Sequence, residues 1–577
     1  MTLLLETTFE PSLDQLVARY GTSIHAGGAL EAWVFAAEAP RRAAEAKLAE
    51  AGVTARLRSA YKPLVHFFLE EVDLEGVTAV HIVCPTLATS PLRFRLEAYP
   101  LADMLGGIPL TLEDGAADGF GYEVALTTAS GETRHSVFAP NRQHQDAMGH
   151  ALVSPTGWIK WTGPNGESED AAFLTDYQTL FDGAIAAVAE HPWGEDEPLF
   201  EELSIVATLP WADRPLPVGH ETVSLAEALH EDLYFTLLEL FQKRSGRKLG
   251  NRDLRPGQIV PDIRIAEGPL RLKVETRPLD TSEPERPRHD LETATNALSP
   301  HQVREALGGI DGDAFESRSR AGRRVNAVHH AGTDAGVIIS GGQHANETSG
   351  VVGALRAAMR LAERPSTHFV ISPMENVDGY ALHGRLTATN PSHMHHAARY
   401  TAFGNDLEYE TVEPLHEKAI RKEALRRSGA LLHVNLHGYP AHEWTRPLTG
   451  YLPRGFEMWS LPKGFFLILR HYPDWTERGE ALLEQVTAHL SAIPALTALN
   501  ERQLSLYERH AGPPGFRMIN GFPCQVTVTE QHPAPLILIT EYPDETIEGE
   551  AFVDAHTAQM ETVLSAYEAF QGLMRTS

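Results

Sequence analysis

Short apolar runs of β-branched character alternate along this chain with stretches in which apolar residues recur every third or fourth position. Alternation between the two periods predicts an α/β architecture. Residues 29–36 (ALEAWVFA), 65–72 and 77–83 read as strands, and 40–51 as a helix closed by Gly52. Residues 119–126 read as a strand, and 150–161 as another with a turn at Pro155-Thr156-Gly157. Residues 180–190 read as a helix and 195–202 as an acidic loop. Ser224 followed by Glu227 is a capping box. It opens a helix in which Leu225, Leu229, Leu233, Leu237 and Leu240 share one apolar face. His220, Glu221, His230, Glu231 and Asp232 invite a metal site there. Neighbours on a helix point in different directions, so a solvated polar face is the expectation.

Residues 276–296 (TRPLDTSEPERPRHDLETATN) are rich in Pro, Thr and charge, and predict a linker. The expected organisation is an N-terminal α/β accessory domain over 1–115, a second accessory region over 116–290, and a third domain over 291–577. The third domain opens with a short helix over 299–307 and a strand near 321–329. Three apolar runs follow in it, 337–340 (VIIS), 431–436 (LLHVNL) and 535–540 (PLILIT). Each predicts a buried strand of an open sheet.

At 577 residues the chain exceeds one hydrophobic core, so roughly two to four domains are expected. Hydrophobic content of 42% and charged content of 22% are ordinary for a globular protein. A net charge of −28 argues against nucleic acid and anionic membranes as partners, because a phosphate polymer would be repelled. Only Cys84 and Cys524 are present, each beside a proline in an apolar context, which predicts buried thiols rather than a disulfide framework. The first residues show no basic region ahead of an apolar one, and no apolar stretch approaches the roughly 20 residues that span a bilayer. Cytoplasmic residence is the expectation.

The candidate chemistry lies at the ends of the three apolar runs. In 337–350 (VIISGGQHANETSG) the strand gives way to Gly341-Gly342, then to His344 and Glu347, then to a helix. Glycine permits the sharp turn. An imidazole and a carboxylate three apart after a strand can converge on one cation, and both suit zinc. Open α/β sheets place ligands at this edge. A third donor is expected: His437 at the end of LLHVNLHGY, with His433 and His442 as rivals. Glu541 ends the last run without a liganding neighbour, which suits a general base. His393, His395 and His396 read as loop residues without metal.

The order of HxxE, then ENVDG (375–379), then NLHGY, then a late strand ending in Glu resembles the zinc carboxypeptidase family of the carboxypeptidase A type, from near Asn296 to the C-terminus. The resemblance implies a mixed-sheet α/β catalytic domain behind an N-terminal α+β accessory region. It implies one Zn2+ per chain held by His344, Glu347 and His437, with Glu541 as base and Asp406 in NDLEY holding the first histidine. It implies an arginine that polarises the scissile carbonyl, for which Arg399 is preferred. Asn376, Asp378 and Gly379 are expected to form a turn. The chain departs where relatives carry Asn-Arg after Asp-Leu: here stand Glu408 and Tyr409. An arginine there would clamp a terminal carboxylate, so Arg385, Arg399 and Arg517 become candidates for that role, with Tyr409 lining the pocket. Tyr507 is a candidate for a substrate-assisting tyrosine, or equally a packed aromatic.

The expected function is a zinc metallopeptidase acting on a peptide or small amide. The alternatives are a deacylase of a small acylated amino acid and a non-catalytic binding protein with a vestigial site. The N-terminal region is expected to narrow the cleft or to mediate a homo-oligomer.

Overall fold

The structure, a computed structural model, describes residues 1–117 and 119–575. Its largest element is a nine-stranded mixed sheet built wholly from the C-terminal half. Strand order runs Asp313–Arg318, Arg324–His330, Phe369–Ser372, Val337–Gly341, Leu432–Pro440, Leu536–Glu545, Phe466–His471, Phe522–Val528 and Arg517–Ile519. The four central strands, from Phe369–Ser372 to Leu536–Glu545, are parallel to one another. Leu432–Pro440 is buried at every position, as a strand covered on both faces must be. The helices Ser349–Ala362, Thr476–Leu490 and Glu550–Arg575 pack together and against these strands. Asn376, expected in a turn, instead caps the helix Val377–Thr387, accepting from Gly379 N at 2.9 Å.

The strands predicted at the three apolar runs are present, but two extend further than their apolar residues suggest. Leu432–Pro440 passes His437, and Leu536–Glu545 passes Glu541. Both side chains are therefore fixed by sheet pairing rather than carried on loops.

In the N-terminal half, strands from either side of residue 115 share all three four-stranded sheets. Thr2–Thr8 pairs with Arg271–Arg277, Ala29–Val34 with Gly157–Thr162, and Val77–Thr86 with Gly121–Thr128. A division at 115 would cut each of them. Residues 150–161 form two strands, Ala151–Pro155 and Gly157–Thr162, with different partners. The strand expected at 65–72 is the helix Pro63–Glu70, buried from Pro63 to Phe68. A short apolar run has no period to separate strand from buried helix, and proline at the first helical position favoured the helix.

The helix Leu225–Arg244 overturns the expected solvated face. It is buried on nearly all sides, including Glu227, His230, Glu231, Asp232 and Glu239. Ser224 caps it, accepting from Glu227 N at 2.9 Å. Two of its carboxylates, Glu227 and Glu239, are matched by basic side chains across the junction with the C-terminal half, while burial and the neighbouring Glu227 charge push the Glu231 carboxyl well up toward its neutral form. Glu227 meets His442 Nε2 at 2.8 Å, Glu231 meets His396 Nδ1 at 2.6 Å, and Glu239 meets Arg446 at 3.1 Å. Asp232 accepts from Leu448 N at 2.8 Å and Thr449 Oγ1 at 2.7 Å. Both cysteines are buried free thiols. Among the described residues no helix is long and apolar enough to cross a membrane.

Candidate metal centre and active site

Beyond Val337–Gly341 the backbone turns at Gly342, whose φ is +59° and where an added Cβ would lie 3.2 Å from Met374 Cα. This close turn places His344 and Glu347 against the end of the sheet. His344 Nδ1 lies 2.8 Å from Glu347 Oε1, and His437 Nδ1 lies 2.9 Å from Glu347 Oε2. The two Nδ1 atoms are 3.1 Å apart, and all three residues are buried. One donor atom from each lies within 4.8 Å of the others, the one such group found among the described residues.

Glu347 Oε2 is buried and makes no properly directed hydrogen bond, despite its proximity to His437. Two imidazole nitrogens and a carboxylate oxygen within about 3 Å of one another form an arrangement that one cation can fill. Ligand atoms around a tetrahedral zinc lie about 3.3 Å apart, given bonds of about 2.0–2.1 Å. Two imidazole nitrogens and a carboxylate also have the right chemistry, so the residues fit the ion.

Asp406 backs the group. Its Oδ2 lies 3.4 Å from His344 Nε2, and its Oδ1 accepts from Glu408 N at 3.0 Å. Burial opposes its charge, but His344 and Arg399 hold its carboxyl below the usual range. Arg399 donates from Nη1 to Glu347 Oε1 at 2.8 Å. Glu541 is the register partner of His437 on the adjacent parallel strand. Burial, reinforced by the nearby Glu347 charge, pushes its carboxyl well up from the ordinary value.

His344, Arg399, Asp406, His437 and Glu541 line a cavity of about 910 Å³. Tyr400, Trp444, Phe456 and Trp459 supply aromatic wall, and Phe235, Arg252 and Asp253 enter it from the N-terminal half. Tyr409 lines the cavity and is 48% exposed. Glu408, also in the lining, is held by Arg421 Nη1 at 2.6 Å, which keeps its carboxyl low against the effect of burial. An inward Glu408 therefore does not act as a bare negative charge.

Other residues singled out in the sequence lie elsewhere. Arg385 is paired with Glu202 at 3.0 Å and Asp280 at 3.2 Å, and does not line the cavity. Arg517 is exposed and paired with Glu480 at 2.7 Å. Tyr507 belongs to the helix Pro494–Ala511 and packs with Leu96, Tyr99 and Leu461, as a core aromatic does. His433 lines the cavity and meets Ser340 Oγ at 2.6 Å. His442 is turned to Glu227, and Glu443 is held by Lys62 and by Tyr451 OH. His393, His395 and His396, expected on a surface loop, are buried against the Leu225–Arg244 helix and its flanks.

Four residues escaped the sequence reading. Arg421 donates to Glu375, Glu408 and Gln343, yet sits in an ordinary polar helix. Phe235 and Arg252 reach the cavity only through tertiary approach. Lys463 is buried with its amine 4.7 Å from the Trp459 ring centre, and burial lowers its pKa to about 7 despite the Glu541 charge. None of the four carries a local motif.

No protein-family model matches the chain, and no curated protein matches it. Among solved structures, a metallo-carboxypeptidase from Burkholderia cenocepacia is similar at 16% identity and a TM-score of 0.30, over 53% of this chain and 77% of that one. A metallo-carboxypeptidase from Pseudomonas aeruginosa, in complex with (2-guanidinoethylmercapto)succinic acid, is similar at 16% identity and a TM-score of 0.30, over 54% of this chain and 72% of that one. A murein-tripeptide amidase from Escherichia coli O157 is similar at 15% identity and a TM-score of 0.25, over 47% of this chain and 97% of that one. The chain is thus similar to solved metallo-carboxypeptidases and an amidase over about half its length, at low identity.

Proposed function

We propose that this protein is a zinc-dependent hydrolase of the carboxypeptidase type, cleaving a peptide or amide bond. The observation that carries the reading is the convergence of His344, Glu347 and His437 on one point, beside Glu541, at the wall of a large cavity. His344, Glu347 and His437 would hold the ion. When bound, zinc supplies Lewis acidity toward a carbonyl and toward water.

The chain's own groups do the rest. Glu541 takes the proton of the attacking water and returns it to the leaving amine. Asp406 fixes the orientation of His344 through Nε2 and raises its basicity as a ligand. Arg399, anchored to Glu347 by one nitrogen, offers its charge to the oxygen that becomes negative as the carbonyl is attacked. The aromatic walls exclude water from the reacting groups. Residues 1–290 act as one body that closes part of the cavity, which is supported by the interleaved sheets and by Phe235 and Arg252.

The test is a hydrolysis screen of peptides and N-acylated amino acids with the zinc-loaded protein, alongside metal content by elemental analysis. Stoichiometric zinc with turnover of at least one amide class is expected. Stoichiometric zinc without any turnover would favour the vestigial binding protein.

A further inference from the structure

We infer that His396, oriented by Glu231 of the N-terminal half, donates a hydrogen bond from Nε2 to a carbonyl oxygen of the substrate's acyl part, so that the preferred substrates carry a second carbonyl on the acyl side of the bond that is cleaved. The inference rests on the hydrolase reading for its reaction, and on separate observations for its site.

His396 opens the short 3-10 turn His396–Ala398, which Arg399 N closes by donating to the His396 carbonyl at 3.0 Å. Side chains three apart on such a turn lie on the same side, and both residues line the cavity. Arg399 reaches Glu347, so His396 stands one turn away from a side chain that touches the metal group. One such turn rises about 6 Å, a distance of one to two residues of extended chain. The scissile carbonyl, which Arg399 polarises, belongs to the acyl part of the substrate, and His396 therefore meets the next carbonyl along that part. Its imidazole is stacked on Trp444, with ring centres 4.3 Å apart and planes at 29°, and Phe235 meets it edge-on at 5.3 Å. Two aromatic contacts fix the plane of the ring.

Glu231 sets the tautomer. Its Oε2 lies 2.6 Å from His396 Nδ1, off the ideal hydrogen-bond direction, but two buried polar atoms this close are tolerated only with a proton between them. Burial favours the neutral form of both groups, and it lowers the His396 pKa to about 4 against the Glu545 charge. A neutral carboxyl has one O–H to give, and Nδ1 is the atom it reaches. The ring proton then sits on Nε2. Among the described residues Nε2 has no hydrogen-bond partner, although the ring lies in the cavity wall. A desolvated N–H between aromatic walls requires an acceptor from the ligand, and a carbonyl oxygen is the acceptor that an acyl or peptidyl group offers. The neighbouring histidines are spent elsewhere. His393 Nε2 meets Asp213 at 2.5 Å, His395 Nε2 meets the Asn390 carbonyl at 2.9 Å, and neither lines the cavity.

The experiment compares the zinc-loaded full chain with His396→Phe, His396→Gln and Glu231→Gln. Phenylalanine keeps the stack on Trp444 and removes the donor. Glutamine at 396 keeps a donor, and glutamine at 231 keeps an N–H for Nδ1. Calorimetry measures binding of a panel of amino acids N-acylated with pentanoyl or with 4-oxopentanoyl, a pair that differs only in one carbonyl. Kinetics follows hydrolysis of the same pairs. The wild type should bind the 4-oxopentanoyl compounds about two- to tenfold more tightly, with the preference in KM rather than kcat. His396→Phe should abolish or reverse the preference, since a buried carbonyl without a donor costs binding. His396→Gln should keep part of it and Glu231→Gln most of it, all with zinc retained. A wild type without the preference, a preference that survives His396→Phe, or loss of zinc from both His396 variants would overturn the assignment, and turnover in any of these cases would leave the hydrolase reading standing. Loss of the preference in Glu231→Gln would overturn the role of Glu231. If the wild type cleaves neither compound but its preference in binding disappears in His396→Phe, the hydrolase reading fails and the His396 site stands.

Discussion

His437 and Glu541 are register partners on adjacent parallel strands, so their side chains leave the sheet on the same face. The spacing between such partners is set by backbone hydrogen bonds, about 4.8 Å from strand to strand. The proposed ligand and the proposed base are thus both held by sheet pairing, and neither depends on a loop.

Glu541→Gln should therefore leave the fold and the metal in place while removing the proton acceptor. Turnover should fall about 10²–10⁴-fold, with zinc content and thermal unfolding unchanged. Near-normal turnover would assign the base elsewhere, and Glu443, paired with Lys62 and Tyr451 outside the cavity lining, is badly placed to take over.

His344→Ala and His437→Ala should each lose zinc and activity together, because each removes one of three protein donors. Elemental analysis after gel filtration reads this directly. Stoichiometric zinc in both variants would sink the ligand assignment.

Asp406→Asn keeps the shape behind His344 but removes the charge. Zinc affinity should drop about 10–100-fold, measured by competition with a chelator. An unchanged affinity would show that Asp406 does not support the ligand.

The buried pair between Glu227 and His442 predicts a pH dependence of stability. Burial opposes the His442 charge, but Glu227 outweighs it and raises the imidazole pKa to about 9. A raised histidine stabilises fully below its unfolded value, and that stability is lost as pH climbs through the folded one. Melting temperature should therefore fall between about pH 6.5 and 9. His442→Gln should cost on the order of 3 kcal/mol at pH 6, with a smaller deficit at pH 9. A deficit that is the same at both pH values would refute the linkage.

The residues the structure draws together at the candidate metal centre were legible because each stands beside its own strand and turn. His344 and Glu347 share one glycine-marked turn, and His437 and Glu541 each follow an apolar run. Nothing local marks Arg252, Phe235 or Lys463, which arrive by packing of distant segments. The Leu225–Arg244 helix misled for the same reason. Its Glu227, Glu231 and Asp232 read as solvent-facing because their partners, His442, His396 and Leu448, lie far along the chain. A charge in a sequence declares that it needs a partner but not whether water or protein supplies it. The two strand extensions were missed because Gly438 and Pro543 look like terminators, whereas sheet pairing carries the backbone through both.

The pairing of Thr2–Thr8 with Arg271–Arg277 also sets a schedule for the newborn chain. The first strand leaves the ribosome long before its neighbour exists. At about 5–20 residues per second, it waits roughly 13–53 s with its ladder groups unpaired. The N-terminal sheet therefore closes about midway through translation, before the strands that bear the candidate metal ligands begin to emerge. Through that interval the open edge is a place where chaperones, or another copy of the same nascent strand, can bind.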